Sequence, residues 1–206
     1  MKVIVVLGGD PPSSVLLEWR LKQADFSIAA DAGMKSFVEA GLEPDLLIGD
    51  MDSFNLEDAD LVCETQRIDG QENTDFQKAL ARPELQDAGE VVILGGTGGR
   101  SDHFLSNLLI AAALPNETAV LFEANLEIIH RVTPECPLTL QGLDGLTISL
   151  IPLGDCQGVT ATGLRWPLEE SAMGVGGQLS QSNLGEGEEL RVSLSSGTLY
   201  VIVGKR

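Results

Sequence analysis

The hydrophobic pattern of this 206-residue chain changes character near residue 115, and that change restricts its possible folds more than any other feature. Before this point, short apolar runs rich in β-branched residues alternate with segments of helical periodicity. Strands that alternate with helices predict βαβ units and a mainly parallel sheet. The predicted strands are 2–7, 27–30, 45–48 and 91–94, and the predicted helices are 15–21, 34–40, 74–81 and 104–113.

After residue 115 the helical periodicity fades, and short strand-like runs separated by Gly and Pro replace it. This pattern is typical of a small antiparallel sandwich or barrel. We therefore predict an α/β fold with an N-terminal mainly parallel sheet flanked by helices, plus a C-terminal antiparallel β-sandwich domain. The boundary is predicted near residue 118, which gives domains of residues 1–118 and 119–206. The strand-like runs are 118–122, 127–132, 138–140, 147–151, 190–194 and 198–203.

The charge balance excludes two classes of partner. The chain has 13 Lys and Arg against 31 Asp and Glu, a formal net charge of −18. Nucleic-acid backbones and anionic membrane surfaces both require a basic footprint, so neither is an expected partner. A small anionic ligand stays possible if metal ions accompany it.

The cysteines and the apolar runs predict a cytoplasmic location. Cys63, Cys136 and Cys156 are odd in number and far apart, so neither a disulfide framework nor a zinc site is indicated. The apolar run at the N-terminus is too short for a signal peptide. No stretch approaches the roughly 20 apolar residues that a membrane-spanning helix needs.

Acidic residues follow the predicted strands of the N-terminal half. Asp31 follows one strand, and Asp50 and Asp52 follow the next. Asp75 and Asp102 begin predicted helices. In open α/β sheets, ligands bind beyond the carboxyl ends of the strands, so we expect these carboxylates to converge there.

Convergence of carboxylates predicts a cation. Two carboxylates 5 Å apart repel by about 3 kcal/mol at an effective dielectric constant of 20, so a larger group would not stay fully ionised alone. Hard oxygen ligands without a Cys or His cluster favour Mg²⁺ over zinc, and Mg²⁺ commonly bridges to substrate phosphates.

A glycine-rich run supports phosphate binding. Residues 95–100 read Gly-Gly-Thr-Gly-Gly-Arg between a predicted strand and a predicted helix. Glycines let backbone N–H groups approach a phosphate closely, the helix N-terminus adds positive partial charge, and the Arg100 guanidinium offers a forked donor. The candidate phosphate-binding residues are Gly96, Thr97, Gly98, Gly99, Arg100 and His103, and Gly8-Gly9-Asp10 is a weaker candidate loop.

Each of these residues also has an ordinary structural interpretation. Thr74 and Gln77 fit a helix capping box, and an acid such as Asp75 is stabilised in a first helical turn. Arg100 fits a surface ion pair equally well. The joint occurrence of these residues at strand-to-helix junctions is what favours a nucleotide phosphate site. Standard dinucleotide, P-loop, HExxH and GxSxG motifs are absent from the sequence.

The chain resembles the thiamine pyrophosphokinase family. The N-terminal half contains Gly-Asp-Met-Asp-Ser at 49–53, Asn-Thr-Asp-Phe at 73–76 and Gly-Gly-Arg-Ser-Asp-His at 98–103. The C-terminal half adds Gly-Leu-Arg-Trp-Pro-Leu at 163–168 and Leu-Ser-Gln-Ser-Asn at 179–183. The resemblance covers nearly the whole chain.

The resemblance implies a specific reaction and assembly. The family transfers the diphosphate of ATP to the hydroxyethyl group of thiamine, releases AMP, and acts as a homodimer. It implies a catalytic, nucleotide-binding first domain and a second domain for thiamine binding and dimerisation. Its implied metal ligands for Mg²⁺ are Asp50, Asp52 and Asp75, its implied phosphate and catalytic groups are Arg100, Asp102 and Asp31, and its implied thiamine neighbours are Trp166, Ser182 and Asn183.

Other functions stay open from the residues alone. A related diphosphokinase would use another alcohol, such as a hydroxymethylpterin, and a non-catalytic protein would bind metal and nucleotide without turnover. An acidic structural protein, the third alternative, would show no metal-dependent effect of ATP on any property of the protein. The identity of the acid that accepts the hydroxyl proton stays open, and so does the number of Mg²⁺ ions.

Overall fold

The computed structural model describes residues 1–51, 63–70 and 72–205, and they form two compact units. The first unit comprises residues 1–115 with 122–125, and the second comprises residues 116–121 and those from Leu126 onward. The predicted assignment of separate functions to residues 1–118 and 119–206 stays a prediction.

The first unit contains a parallel sheet whose strands are buried on both faces. Its strands pair in the order β5-β1-β2-β3-β4, and every pair is parallel. Residues 3–6, 46–48 and 91–94 are completely buried, which explains why these segments are continuous apolar runs. The strands are β1 (Lys2–Val6), β2 (Phe26–Ala30), β3 (Leu46–Gly49), β4 (Glu64–Arg67) and β5 (Glu90–Leu94). Strand β6 (Ala119–Glu123) is divided between the units, with residues 119–121 in the second and 122–123 in the first.

Helices follow β1, β2, β4 and β5, and the residues at the helix starts stabilise two of these helices locally. The Ser13 hydroxyl accepts a hydrogen bond from the Leu16 N–H at the start of the first helix. Thr74 and Gln77 form the predicted capping box. Because the chain crosses back after each strand, the carboxyl ends of the strands share one edge. The helices are α1 (Ser14–Leu21), α2 (Met34–Ala40), α3 (Asp75–Leu80), α4 (Pro83–Gln86) and α5 (Ser101–Ala111), with a 3₁₀ helix at Asp31–Gly33.

The second unit is an antiparallel sandwich, as predicted. One layer pairs in the order β12-β9-β14-β7 and the other in the order β11-β10-β13-β8. Buried side chains of both layers, among them Ile148, Val201, Val159 and Val192, form one core. The strands are β7 (Glu127–Val132), β8 (Leu138–Gln141), β9 (Thr147–Pro152), β10 (Cys156–Thr162), β11 (Leu168–Met173), β12 (Ser180–Leu184), β13 (Glu189–Ser193) and β14 (Leu199–Gly204).

Four strands were absent from the sequence prediction, namely β4, β10, β11 and β12. Their sequences are Glu-Thr-Gln-Arg, Cys-Gln-Gly-Val-Thr-Ala-Thr, Leu-Glu-Glu-Ser-Ala-Met and Ser-Gln-Ser-Asn-Leu. These segments lack a sustained apolar run or alternation, so neighbouring strands decide their conformation. Within the described residues, no helix is long and apolar enough to cross a membrane.

Candidate active site

A cavity of about 670 Å³ lies in the first unit, beside the carboxyl ends of β1, β2 and β3. Three of the five acidic residues identified from the sequence line this cavity together with part of the glycine-rich run. We call it the acidic cavity. The predicted residues that line it are Asp31, Asp50, Asp75, Gly96, Gly98, Gly99, Arg100 and His103.

Asp31 is the most constrained acid of the acidic cavity. It follows β2 directly and has a backbone φ of 42°, a conformation that non-glycine residues rarely adopt. The residue is only 5% exposed, and its Oδ1 atom has no hydrogen-bond partner in the described part of the chain. A strained, buried carboxylate with an unsatisfied oxygen is typical of a ligand site.

Asp50 and Asp75 lie on either side of a buried lysine. Asp50 follows β3, and Asp75 is the first residue of α3, where the capping box fixes the helix start. The Lys78 ammonium donates a hydrogen bond to Asp75 Oδ1 at 2.9 Å and lies 4.0 Å from Asp50 Oδ2. Its side chain is 5% exposed, so the ammonium belongs to the acidic cavity rather than to bulk solvent.

The charges around Lys78 keep it protonated. Burial by itself lowers the pKa of Lys78, but the hydrogen bond from its ammonium to Asp75 and the negative charges of Asp75, Asp50 and Asp31 raise that pKa above its ordinary value. The acidic cavity therefore holds a buried positive charge among its carboxylates. Sequence reasoning missed Lys78; the available signal was its position three residues after Asp75, on the same side of a helix.

The glycine-rich run packs against the loop after β1. Gly9 N–H donates to the Gly95 carbonyl at 2.8 Å, and Asp10 N–H donates to the Thr97 carbonyl at 2.9 Å. A Cβ at Gly98 would lie 2.0 Å from the Asp10 carboxyl carbon, and its φ is +72°, so only glycine fits there. Asp10 also lines the acidic cavity, which makes the weaker candidate loop part of the same site.

Two side chains of α5, Asn107 and His103, lie at the glycine-rich run and the acidic cavity. Asn107 donates to the Gly96 carbonyl at 2.9 Å, which orients the glycine-rich run, and Thr97 is buried at its centre. His103, one turn before Asn107, lines the acidic cavity.

Arg100 and Asp102 form an ion pair at the start of α5. The Arg100 guanidinium donates two hydrogen bonds to the Asp102 carboxylate, at 3.1 and 2.6 Å. These bonds lower the pKa of Asp102 to about 2. Arg100 lines the acidic cavity, whereas Asp102 does not. Because both side chains are largely exposed, at 73% and 62%, the pair adds little stability.

The metal-ligand prediction falls partly outside the described residues. Asp52 lies outside them. Within the described ranges, no group of three Asp, Glu, His or Cys side chains forms a ready metal site. The oxygen donors that line the acidic cavity, with the unsatisfied Asp31 Oδ1, nevertheless have the chemistry that Mg²⁺ requires.

The three predicted thiamine neighbours differ in exposure within the second unit. The Trp166 side chain is 59% exposed, and the Arg165 guanidinium lies 5.9 Å from its ring centroid. Ser182 is exposed and has a positive φ of 55°. Asn183 is 2% exposed and hydrogen-bonds to the backbone of Trp166.

Comparison with known proteins agrees with this arrangement. Residues 17–122 match the family model described as thiamin pyrophosphokinase, catalytic domain, and residues 133–199 match the one described as thiamin pyrophosphokinase, vitamin B1 binding domain. The first match contains the described residues of the acidic cavity from Ala30 to Asn107, and the second contains Trp166 and Asn183.

Individual relatives carry the same name. Thiamine pyrophosphokinase 1 of Oryza sativa subsp. japonica is 29% identical over 182 residues, which cover 78% of this chain and 66% of the rice protein. Thiamine pyrophosphokinase 2 of Arabidopsis thaliana is 29% identical over 235 residues, covering 98% of this chain and 86% of the plant protein. The chain thus spans just under two thirds of the rice relative.

A solved structure shares the fold over the whole chain. The crystal structure of thiamine pyrophosphokinase from Bacillus subtilis superposes with a TM-score of 0.82 and 24% identity, and the match covers 100% of this chain and 99% of that one. At this identity the likeness concerns the fold, and the family assignment comes from the sequence match over residues 17–122. The chain belongs to the thiamin pyrophosphokinase family.

Proposed function

We propose that this protein transfers the terminal diphosphate of ATP to thiamine, forming thiamine diphosphate and AMP. The observation that carries the proposal is the acidic cavity, where Asp31, Asp50 and Asp75 meet the glycine-rich run within the segment that matches the catalytic-domain family model. Donors and carboxylates in one cavity suit a substrate that combines phosphate charge with metal ions.

The reaction needs one bond to form and one to break. The thiamine hydroxyl oxygen bonds to the β-phosphorus of ATP, the bond from that phosphorus to the oxygen shared with the α-phosphate breaks, and AMP leaves with that oxygen. The hydroxyl proton passes to a carboxylate of the acidic cavity or to solvent. The described carboxylates that line this cavity are Asp10, Asp31, Asp50, Glu72 and Asp75.

We assign the stabilisation of the phosphate charge to the glycine-rich run with Arg100, and the positioning of the carboxylates to Lys78. Backbone N–H groups of Gly98 and Gly99 and the Arg100 guanidinium would bind phosphate oxygens, and His103 lines the same cavity. Lys78 holds the carboxylates of Asp75 and Asp50 in place before substrate arrives. Asp102 acts through Arg100, whose guanidinium it orients.

Mg²⁺ is the proposed cofactor. Asp50 and Asp75, together with Asp52, would hold it, and Asp31, which lines the same cavity and has an unsatisfied Oδ1, would offer a further oxygen. When bound, Mg²⁺ neutralises phosphate charge and fixes the geometry of the diphosphate. The family assignment favours thiamine over another alcohol as the acceptor.

Thiamine binding is assigned to the second unit. An exposed indole such as Trp166 can stack on a flat heteroaromatic ring and attract the permanent cation of thiamine. Ser182, in β12, is exposed and would supply a polar contact. We further propose that the protein is a cytoplasmic homodimer, without a nucleic-acid or membrane partner.

The test is AMP release by purified protein with ATP and Mg²⁺, with thiamine present or absent. We expect thiamine-dependent AMP with an equal amount of thiamine diphosphate, and no product when EDTA replaces Mg²⁺. Binding of Mg²⁺-ATP without thiamine-dependent AMP would contradict the proposal, and pterin alcohols would then be assayed as acceptors. Gel filtration and light scattering on the same sample test the dimer.

A further inference from the structure

Asn183, in β12, hydrogen-bonds to both the backbone N–H and the backbone carbonyl of Trp166. The Trp166 N–H donates to Asn183 Oδ1 at 3.2 Å, and Asn183 Nδ2 donates to the Trp166 carbonyl at 2.7 Å. Asn183 is 2% exposed, so both bonds are sheltered from water. A single buried amide therefore fixes the main chain of an exposed tryptophan.

The remaining hydrogen-bonding capacity of Asn183 is also in use. Its Oδ1 accepts a second hydrogen bond from the Leu184 N–H at 2.9 Å, and its Nδ2 donates a second one to Ser180 Oγ at 3.2 Å. An asparagine amide has two N–H donors and an oxygen that accepts two bonds. All four are engaged within the chain, which leaves none for a bound ligand.

The segment 163–167, which we call the Trp166 loop, makes further backbone hydrogen bonds at Arg165 and Gly163. Arg165 N–H donates to the Leu184 carbonyl at 2.9 Å, and Glu186 N–H donates to the Gly163 carbonyl at 2.9 Å. Gly163 has a φ of +76°, and a Cβ there would lie 2.0 Å from the Glu189 carbonyl oxygen, so its place requires glycine.

Trp166 is 59% exposed, although its backbone is fixed by these hydrogen bonds. An aromatic side chain held in this way loses less conformational entropy when a ligand binds, and pre-organisation of this kind increases affinity. The contacts of Asn183 thus bear on ligand binding through Trp166, with no contact to the ligand.

We propose that Asn183 is a positioning residue, which fixes the Trp166 loop so that the indole is held ready for the cationic ring of thiamine. This rests on the proposed function, and it changes the role expected for Asn183 from the sequence. Polar contacts to thiamine itself would then come from other residues, and the exposed residue Ser182, which directly precedes Asn183, is the nearest candidate in sequence.

The test compares Asn183→Asp and Asn183→Ser with Thr133→Val. Asn183→Asp keeps the shape but places an acceptor against the Trp166 carbonyl, and Asn183→Ser removes both contacts to Trp166. Thr133→Val is the matched control in the second unit: Thr133 is 1% exposed, and its Oγ1 donates to the Asn116 carbonyl and accepts from the Cys136 N–H.

We expect both Asn183 variants to raise the KM for thiamine by about 10-fold, as loss of one to two net hydrogen bonds implies, while kcat and the KM for ATP change less than about 3-fold. The Thr133→Val control should lower the midpoint of thermal unfolding without changing the KM for thiamine. An unchanged KM for thiamine in both Asn183 variants would overturn the proposal. Equal rises in the KM values for thiamine and ATP would also overturn it, because they indicate a general structural defect.

A second measurement separates this proposal from the proposed function. The chain has two tryptophans, so Trp19→Phe leaves Trp166 as the single tryptophan, whose emission is selected by excitation above the absorption of tyrosine. In that background we expect lower steady-state anisotropy of Trp166 in Asn183→Ser than in its parent, without any substrate present. Unchanged anisotropy overturns the positioning role even if the enzyme is active, whereas absent thiamine-dependent AMP in the wild type overturns only the proposed function. If Asn183→Asp does not fold, Asn183→Ser supplies both measurements.

Discussion

The two units place their functional polar groups in different ways. In the first unit, charged side chains from separate segments converge on one cavity, with a strained backbone at Asp31 and a buried ammonium at Lys78. In the second unit, a neutral buried amide, Asn183, holds the backbone of an exposed indole, Trp166. Convergent charge suits a phosphate substrate with metal ions, and an exposed aromatic face suits a flat cation.

This difference follows from how each sheet is built. Parallel strands all end at one edge, so the residues after β2 and β3 meet without further help. Antiparallel strands end alternately at opposite edges, so their ends do not gather functional side chains at one edge. In the second unit, the proposed ligand-binding side chain, Trp166, instead lies in a loop held by side-chain hydrogen bonds. We therefore expect mutations in the acidic cavity to reduce kcat and mutations around the Trp166 loop to raise the KM for thiamine.

The largest expected effect is that of Asp75→Asn. The variant keeps the size of the side chain and the first helical position, but it removes a negative charge that faces Lys78 and the substrate phosphates. We expect kcat for AMP release to fall by about 10³-fold, with the midpoint of thermal unfolding nearly unchanged. Activity close to that of the wild type would refute the assignment of Asp75 as a metal ligand.

Lys78→Met is expected to reduce kcat by about 10²-fold. The change removes the fixed positive charge between Asp75 and Asp50 while keeping an unbranched buried side chain. The KM for thiamine should not change, since Lys78 belongs to the first unit. Lys22→Met is the matched control, because Lys22 pairs with Glu18 across one turn of a helix but is 71% exposed. Equal activity losses in both variants would contradict the role given to Lys78.

The sequence predicted the first unit better than the second because the two encode structure differently. Strands such as Lys2–Val6 are continuous apolar runs, and Asp31 and Asp50 stand out because they follow such runs directly. Strand β12 has almost no apolar residues, and its place depends on pairing with β9. A pattern read along the chain does not contain that pairing.

Lys78 and Asn183 show the same limit within the two sites. A lone lysine in a helix normally lies in solvent, but Lys78 is buried beside Asp75 of its own helix and Asp50 of another segment. Asn183 was expected near thiamine from the resemblance, but its role depends on which backbone groups its amide meets. Residue type and spacing predicted where the chemistry lies, whereas tertiary contacts decided how each group takes part.

Glu123→Gln tests whether a buried charge in the first unit is structural rather than catalytic. Glu123 pairs with Arg20 at 2.5 Å, and the two side chains are 5% and 10% exposed. Loss of one partner leaves a buried charge uncompensated, so we expect the free energy of unfolding to fall by about 3 kcal/mol, measured by urea denaturation. The specific activity of the folded protein should not change. Glu18→Gln, in an exposed pair, should cost less than about 1 kcal/mol.

The smallest expected effect is that of Asp102→Asn. Asp102 lies outside the lining of the acidic cavity and acts on Arg100, so its loss frees a guanidinium that stays charged and able to reach phosphate. We expect the KM for ATP to change by about 3-fold, with kcat and stability nearly constant.

The pH dependence gives an independent measure of this role. The folded pKa of Asp102 is lowered to about 2 from an ordinary value of 3.8, so its ion pair with Arg100 is complete above pH 3.8 and weakens only as the pH falls towards 2. The wild type and Asp102→Asn should therefore have pH profiles of kcat/KM for ATP with the same shape between pH 5 and 8. A limb in this range that disappears in Asp102→Asn would show that Asp102 titrates during catalysis, as expected of a proton acceptor within the acidic cavity and not of a residue that orients Arg100.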